Sequence, residues 1–388
     1  MIDQDRPDTP AMNDAARALR GAYVHIPFCG KVCPYCDFAV VEGAQDQFSR
    51  YISALEREIS LEPPWGPLDA VHFGGGTPSV LAADVLGGVL GAISDEFGLA
   101  AGAEVALEAN PEDWSPGYAQ ALTAAGFERV SFGVQSSDPE VLAALGRRHS
   151  PSDSLEAVAA ARDAGFRSIN VDLIYGTPGE SLQSWQRSVA TALEAEPDHL
   201  STYALTVERG TPLSVAISNG APSPDADLQA DMYESVCEAA EGAGLVRYEV
   251  SNFARPGHAS RYNLLTWAQG EYLGFGTGAH DHRSGRRTRN IRRLDAYLDK
   301  VESGTRPIAG DEEGGEWDSE VERLFLGLRR VSGVESGAGG EALMMSEWGK
   351  RLAAAGVLDR SGDRIRVARP LHTDEASRAV LALSQPDC

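Results

Sequence analysis

No run of eighteen apolar residues occurs in this chain, and no charged segment leads into an apolar one near its start. Neither a membrane span nor a secretory leader is readable, so a cytoplasmic protein without a membrane span is the expectation. Basic residues are scarce: 34 Lys and Arg stand against 57 Asp and Glu, a formal net charge of −23. Binding nucleic acid without regard to sequence needs many cations to displace counterions, so the charge argues against that class. Cysteine is rare as well, yet three of the five, Cys29, Cys33 and Cys36, fall within eight residues. In a chain of cytosolic character such a group shares a metal or cluster rather than a disulfide. Structural zinc and ordinary iron–sulfur cubanes are closed by four ligands, so three thiols leave one coordination position open. Zinc with His25 or Asp37 as fourth ligand is the alternative. Cys237 and Cys388 lie too far along the chain to join the triad, and Cys237 reads as a small core residue.

A length of 388 residues with 43% hydrophobic content exceeds one typical domain and suggests a large core with a smaller satellite. Residues 1–21, rich in Asp, Pro, Ala and Arg, read as a disordered tail. Over 22–206, strand-like runs near 22–28, 70–74, 103–108, 129–135, 168–174 and 199–205 alternate with helical segments. Six βα units predict an α/β fold with parallel strands, a partial (β/α)6 barrel of the TIM type. Each strand run ends in residues unlike a core: Cys29, then Gly74 to Thr77, then Glu108 and Asn110, Gln135, Asp172 and Tyr203. The C-terminal strand ends of such barrels form the mouth, so these side chains converge there. The glycines of GGGTP allow close approach of the backbone to a ligand, but the segment lacks both the G-x-G-x-x-G pattern and the lysine of a P-loop.

Residues 207–310 read as an extension of the barrel sheet that closes over its mouth. Within them, six arginines between Arg283 and Arg293 form either a solvated hairpin or a site for carboxylates. From 316 to 388, helices followed by a small hairpin suggest a winged-helix-like domain. Its DNA-binding reading is not favoured by the charge of the whole chain.

C-x3-C-x2-C after Y-x-H-I-P-F resembles the radical S-adenosylmethionine (SAM) proteins, in particular the oxygen-independent coproporphyrinogen III dehydrogenase group. The likeness runs from Tyr23 to about Leu383. It implies a 4Fe-4S cluster on Cys29, Cys33 and Cys36 whose open iron binds SAM. It further implies SAM contacts from Tyr23, Gly75, Gly76, Thr77, Glu108, Gln135, Arg147 and Asp172, with Arg147 pairing the methionine carboxylate. His25 is expected near the cluster and His149 at the surface or in a cap. Dehydrogenases of this group carry one more cysteine two residues after the third, where this chain has Phe38. C-x3-C-x2-C-x-F resembles instead the HemW branch of haem chaperones. That resemblance implies a protein that binds haem and passes it to acceptor haem proteins, respiratory ones among them. The alternative is an oxygen-independent coproporphyrinogen III oxidase that forms protoporphyrinogen IX by radical decarboxylation. The branch commonly shows H-N-x-x-Y-W, where this chain has Tyr262 for the histidine and Thr266 for the tyrosine. Candidate haem ligands are therefore Tyr262, His258 and His280, a phenolate being one kind of axial ligand.

Overall fold

The computed structural model describes residues 15–384, so residues 1–14 of the expected tail, and Cys388, lie outside the described part. Residues 15–21 are built into the fold. A helical turn at 15–17 buries Ala16 against Tyr248, Ala254 and Leu264, and the first strand opens at Arg20.

Six strands carry the barrel: β1 (Arg20–Ile26), β2 (Leu68–Gly75), β3 (Leu99–Ala109), β4 (Arg129–Gln135), β5 (Ser168–Tyr175) and β6 (His199–Ala204). All pair in parallel in that order. Between them run α1 (Phe48–Ser60), α2 (Ala83–Phe97), α3 (Pro116–Ala124), α4 (Pro139–Ala144), α5 (Pro151–Asp163) and α6 (Leu182–Glu194). Helix starts are written locally. Ser115, Ser150 and Ser181 each accept a backbone N–H of the first turn, and proline follows two of them at N1.

Alternation along the strands sorts the two faces. Val24, Phe73, Leu107, Phe132, Val171 and Leu200 point outward and pack with the helices into the main core. The intervening residues point into the barrel, and most of them are polar.

After β6 come α7 (Ala226–Gly242), β7 (Val246–Arg247), β8 (Asn252–Ala254) and α8 (Arg261–Trp267). β9 (Glu271–Phe275), β10 (His280–Arg283), β11 (Arg286–Asn290), α9 (Leu294–Glu302) and β12 (Ile308–Glu313) follow. The resulting twelve-stranded sheet runs β12-β11-β10-β9-β1-β2-β3-β4-β5-β6-β8-β7. It curls into a partial barrel without closing on itself.

The segment 207–310 extends the sheet, but its helix α8 covers the opposite end from the one expected. The Arg261 amide donates to Glu104 Oε1 at 2.9 Å, the His258 carbonyl accepts from Arg129, and Leu265 lies against Gly21. These contacts belong to the N-terminal strand ends, so α8 is the floor of the barrel. At the mouth end, the Leu213 amide of this segment donates to the Pro34 carbonyl of the cysteine loop at 2.8 Å, and Arg292 donates to the Asp37 carbonyl. Most of the clustered arginines are spent on carboxylates: Arg283 on Glu62 and Asp281, Arg286 on Asp311, Arg287 on Glu322 and Arg293 on Asp295.

The C-terminal part holds α10 (Glu316–Gly327), β13 (Val334–Glu335), α11 (Gly337–Met345), α12 (Glu347–Ala354), β14 (Leu358–Ser361), β15 (Arg364–Val367) and α13 (Thr373–Leu381). Its winged-helix-like arrangement of helices and a three-stranded sheet has its own core around Leu324, Leu343, Ile365 and Val380. It docks beneath α8, where Gln269 donates to Glu322 at 2.8 Å and the Arg329 guanidinium lies 4.8 Å from the Trp267 ring centre. Among the described residues no helix is long and apolar enough to cross a membrane.

Candidate functional site

The cysteine loop is stitched to the barrel on both sides. Phe28–Cys29 pairs in parallel with Val41–Glu42, the Val32 amide donates to Glu42 Oε2 at 2.9 Å, and His25 Nε2 donates to the Ala39 carbonyl at 2.8 Å. His25 is thus a buried brace for the loop. The three thiols are free. Thr77 Oγ1 donates to Cys29 Sγ and Arg147 Nη1 to Cys33 Sγ, each at 3.6 Å. Burial pushes the Cys29 thiol up to about 11 and the Cys36 thiol upward as well, so the bare loop holds them protonated until a cation replaces the protons. Among the described residues no three His, Cys, Asp or Glu side chains gather as one metal ion requires. A cubane asks for something else, since each cysteine takes its own iron and the sulfurs stay apart. The donor set fits a cluster better than zinc.

Beside this loop opens a cavity of 470 Å³ that runs down the barrel. Gly75 has φ +108°, and a side chain there would strike the His25 ring. A Cβ on Gly76 would lie 2.8 Å from the carbonyl oxygens of Ile26 and Phe28. The Gly76 and Thr77 amides donate to these same two carbonyls at 2.8 Å, so the glycine turn and the cysteine loop are locked backbone to backbone.

Seven of the eight residues read from the sequence as SAM contacts line this cavity: Gly75, Gly76, Thr77, Glu108, Gln135, Arg147 and Asp172. Glu108 accepts from His72 Nε2 at 3.1 Å and from the Gly75 amide at 3.2 Å. Burial raises its pKa, but these hydrogen bonds outweigh burial and hold the carboxyl below its usual range. Gln135 takes a left-handed φ of +66° at a break in the β4–β5 register, and its buried Oε1 has no protein partner. An orphaned acceptor on a cavity wall is what a ligand donor would satisfy. Arg147 donates to Asn110 Oδ1 at 2.5 Å and to the Gly133 carbonyl at 2.8 Å. Asp172 accepts from Ser131 at 2.6 Å and Asn170 at 2.7 Å, and burial lifts its pKa. Tyr23 stands outside the cavity lining. Its ring stacks on His72 at 6.1 Å and its hydroxyl lies 3.3 Å from His25 Nδ1, so it backs the wall.

Below this tier lie polar groups that the sequence reading passed over. His199 Nδ1 donates to Asn170 Oδ1 at 2.7 Å, and Tyr248 Oη donates to His199 Nε2 at 2.8 Å. Burial keeps His199 neutral by holding its pKa well below the usual value. With Ser131, Ser201 and Arg129, Asn170 and His199 line the deep end of the cavity, and the buried Tyr248 stands behind them. The signal was present: parallel strands buried on both faces read as apolar runs, whereas RVSFGVQ, INVD and HLSTY place a polar residue or glycine at every second position. His149 also differs from its expected surface position. It is 4% exposed, with Nε2 donating to the Val134 carbonyl at 2.9 Å and Nδ1 3.3 Å from Glu112.

The three haem candidates are not brought together. Tyr262 lies in the floor helix, its ring stacked on His72 at 5.3 Å and Tyr23 at 6.0 Å. Burial pushes its phenol far up. His258 sits beside Arg129 at the barrel floor, and His280 is exposed on β10 opposite Arg289. None of the three lines the cavity.

The Radical SAM superfamily description matches residues 23–192. A Mycobacterium tuberculosis protein named heme chaperone HemW is 41% identical over 354 residues, covering 89% of this chain and 90% of that protein. Its Bacillus subtilis namesake is 36% identical over 321 residues, covering 81% and 85%. The solved structure of coproporphyrinogen III oxidase (HemN) from Escherichia coli, described as a radical SAM enzyme, superposes with a TM-score of 0.81. That likeness covers 96% of this chain and 93% of HemN, and at 22% identity it speaks for the fold alone. With cysteine loop, glycine turn and polar barrel wall in one place and relatives matched over nearly their full lengths, the chain belongs to the HemW family of radical SAM proteins.

Proposed function

We propose that this protein is a cytoplasmic haem chaperone that holds a 4Fe-4S cluster on Cys29, Cys33 and Cys36, binds SAM in the barrel cavity and hands haem to acceptor haem proteins. The observation that carries the reading is Phe38. It stands two residues after Cys36, where the dehydrogenases of the resembling group have a cysteine, and is 64% exposed on the rim of the cavity. When bound, a cluster with one iron free of cysteine binds SAM through its amino and carboxylate groups and supplies the electron for its cleavage.

The chain's own residues supply the rest. Arg147 stands beside Cys33 and presents a cation for the methionine carboxylate. The amides of Gly76 and Thr77 are already spent, so the glycine turn offers carbonyl acceptors, which suit an ammonium group. Glu108, kept anionic by His72, and Asp172 accept from hydroxyl and ammonium groups, and the orphaned Gln135 Oε1 accepts one donor more.

Anaerobic reconstitution tests the reading. About four irons with sulfide per chain are expected, together with SAM binding, uptake of about one haem and transfer of that haem to an apo-haem protein. One zinc per chain without sulfide, or an unchanged cluster in the triple Cys→Ala variant, would end the cluster part. Absence of specific haem binding would end the chaperone part.

A further inference from the structure

The residues expected to hold haem in the 258–282 segment lie in the floor or on the sheet extension, away from the cavity. The cavity mouth has a different character. Phe38, among the most exposed large apolar side chains, projects beside Val32 and Val40, which also line the opening. Across it, Thr206 and Glu208 border the opening, with the exposed Val207 between them. A solvated turn seldom presents an aromatic ring in this way, and apolar groups gathered on a rim mark a contact surface.

The charges at this rim are sorted. On the near side Lys31 is exposed and pairs with no carboxylate among the described residues. Next to it the Arg148 guanidinium lies over Gly30, where a Cβ would be 2.6 Å from Nη2, and its nearest carboxylate is Glu112 at 3.6 Å. In a chain of net charge −23, Lys31 on the cavity lining and Arg148 beside it at Gly30 bring two cations together, the second of them paired with Glu112. Asp37 and Glu208 stand elsewhere on the rim.

We infer that the cavity mouth, with Phe38 as its apolar plate and Lys31 and Arg148 as its cationic lip, is the seat of a planar tetrapyrrole dicarboxylate, the haem that the proposed function requires. The inference rests on that reading and assigns it a place. The macrocycle lies against Phe38, Val32 and Val40, and its carboxylates meet Lys31 and Arg148. The histidines lining this cavity, His72 and His199, lie in its interior, and its tyrosines are Tyr35 on the cysteine loop and Tyr203 near the end of β6. A seat that holds its ligand by face and carboxylate contacts, without an imidazole on the iron, suits a carrier, because release then breaks only those contacts.

Absorbance titration of the cluster-loaded protein with ferric haem, and separately with iron-free protoporphyrin IX, tests it. Phe38→Asp is expected to weaken haem binding at least tenfold and Lys31→Glu with Arg148→Glu several-fold, with iron content and SAM affinity kept. Protoporphyrin IX is expected to bind within a few-fold of haem, and Tyr262→Phe, His258→Ala and His280→Ala to leave the haem spectrum and affinity unchanged. If the wild type binds haem but protoporphyrin IX does not bind, or a variant of the 258–282 segment abolishes the haem spectrum, the mouth is not the seat. The same holds if the Lys31/Arg148 double variant binds as the wild type does, which covers the case of Phe38→Asp failing to fold. If the wild type binds no haem, the chaperone reading itself falls.

Discussion

Gly76 is the residue at which the glycine turn and the cysteine loop touch, and its missing side chain is a matter of space: its φ is not in the left-handed region. A methyl group there would lie 2.8 Å from two carbonyl oxygens of the adjoining backbone, which cannot rotate away as a side chain can. Gly76→Ala is therefore expected to displace the loop carrying Cys29 and to lower iron per chain on reconstitution more than it lowers the melting temperature. Normal iron content in that variant would refute the packing argument. Glu58 poses an electrostatic question instead. It is 2% exposed and accepts from Tyr297 Oη at 2.6 Å, the Gly276 amide at 2.8 Å and Asn290 at 2.6 Å. Burial outweighs these bonds and pushes its carboxyl up to about 7. The folded state thus holds this proton more tightly than the unfolded chain. Its stabilising contribution is full below about pH 4.5 and is lost as pH rises through about 7, in total roughly 3 kcal/mol. Glu58→Gln does not titrate, so the difference in stability between wild type and variant should shift by that amount, against the wild type, between pH 4.5 and 8. Denaturant unfolding at several pH values checks this, and a difference independent of pH would contradict it.

At the scale of elements, the floor helix α8 joins the barrel interior to the C-terminal part. One side of it sends Tyr262 into a stack with His72 and Tyr23, while Trp267 near its end meets Arg329. Ser260 caps it by accepting from the Asn263 amide. A planar ring is what the stack needs at position 262, and the hydroxyl contributes less than the face. Tyr262→His restores the residue common in the branch and should keep the melting temperature within a few degrees. Tyr262→Ala removes a stacked ring and should cost about 3 kcal/mol. Equal stability of the two variants would show that the stack does not hold the floor. The short strand pair Phe28–Cys29 and Val41–Glu42 acts at the same scale, since it fixes both ends of the cysteine loop with few residues.

At the scale of the whole molecule, one long sheet carries both the barrel and its extension, and the C-terminal part closes the floor side, leaving the mouth to ligands. Among the described residues nothing at the mouth supplies a fourth thiol beside Cys36, so the chain is expected not to restore anaerobic haem synthesis in a strain lacking the oxygen-independent dehydrogenase. Restored growth would replace the chaperone reading with that enzyme activity.

Local sequence determined the six βα units, because strand and helix periods and serine caps depend on neighbours in the chain. It also determined the cysteine loop and the polar strand ends, since each is a short motif with its own chemistry. The tertiary structure decided which end α8 covers, and that depended on Arg261 meeting Glu104 across 157 residues. It decided that Tyr23 backs the wall and that His149 is buried, because burial is set by what packs above a residue. It separated His258, Tyr262 and His280, which sequence proximity had grouped, because the chain turns from floor helix to outer strand between them. The polar column from Arg129 to His199 was spelled in the alternation of the strands, yet only the curling of the sheet turned those alternate positions into one cavity.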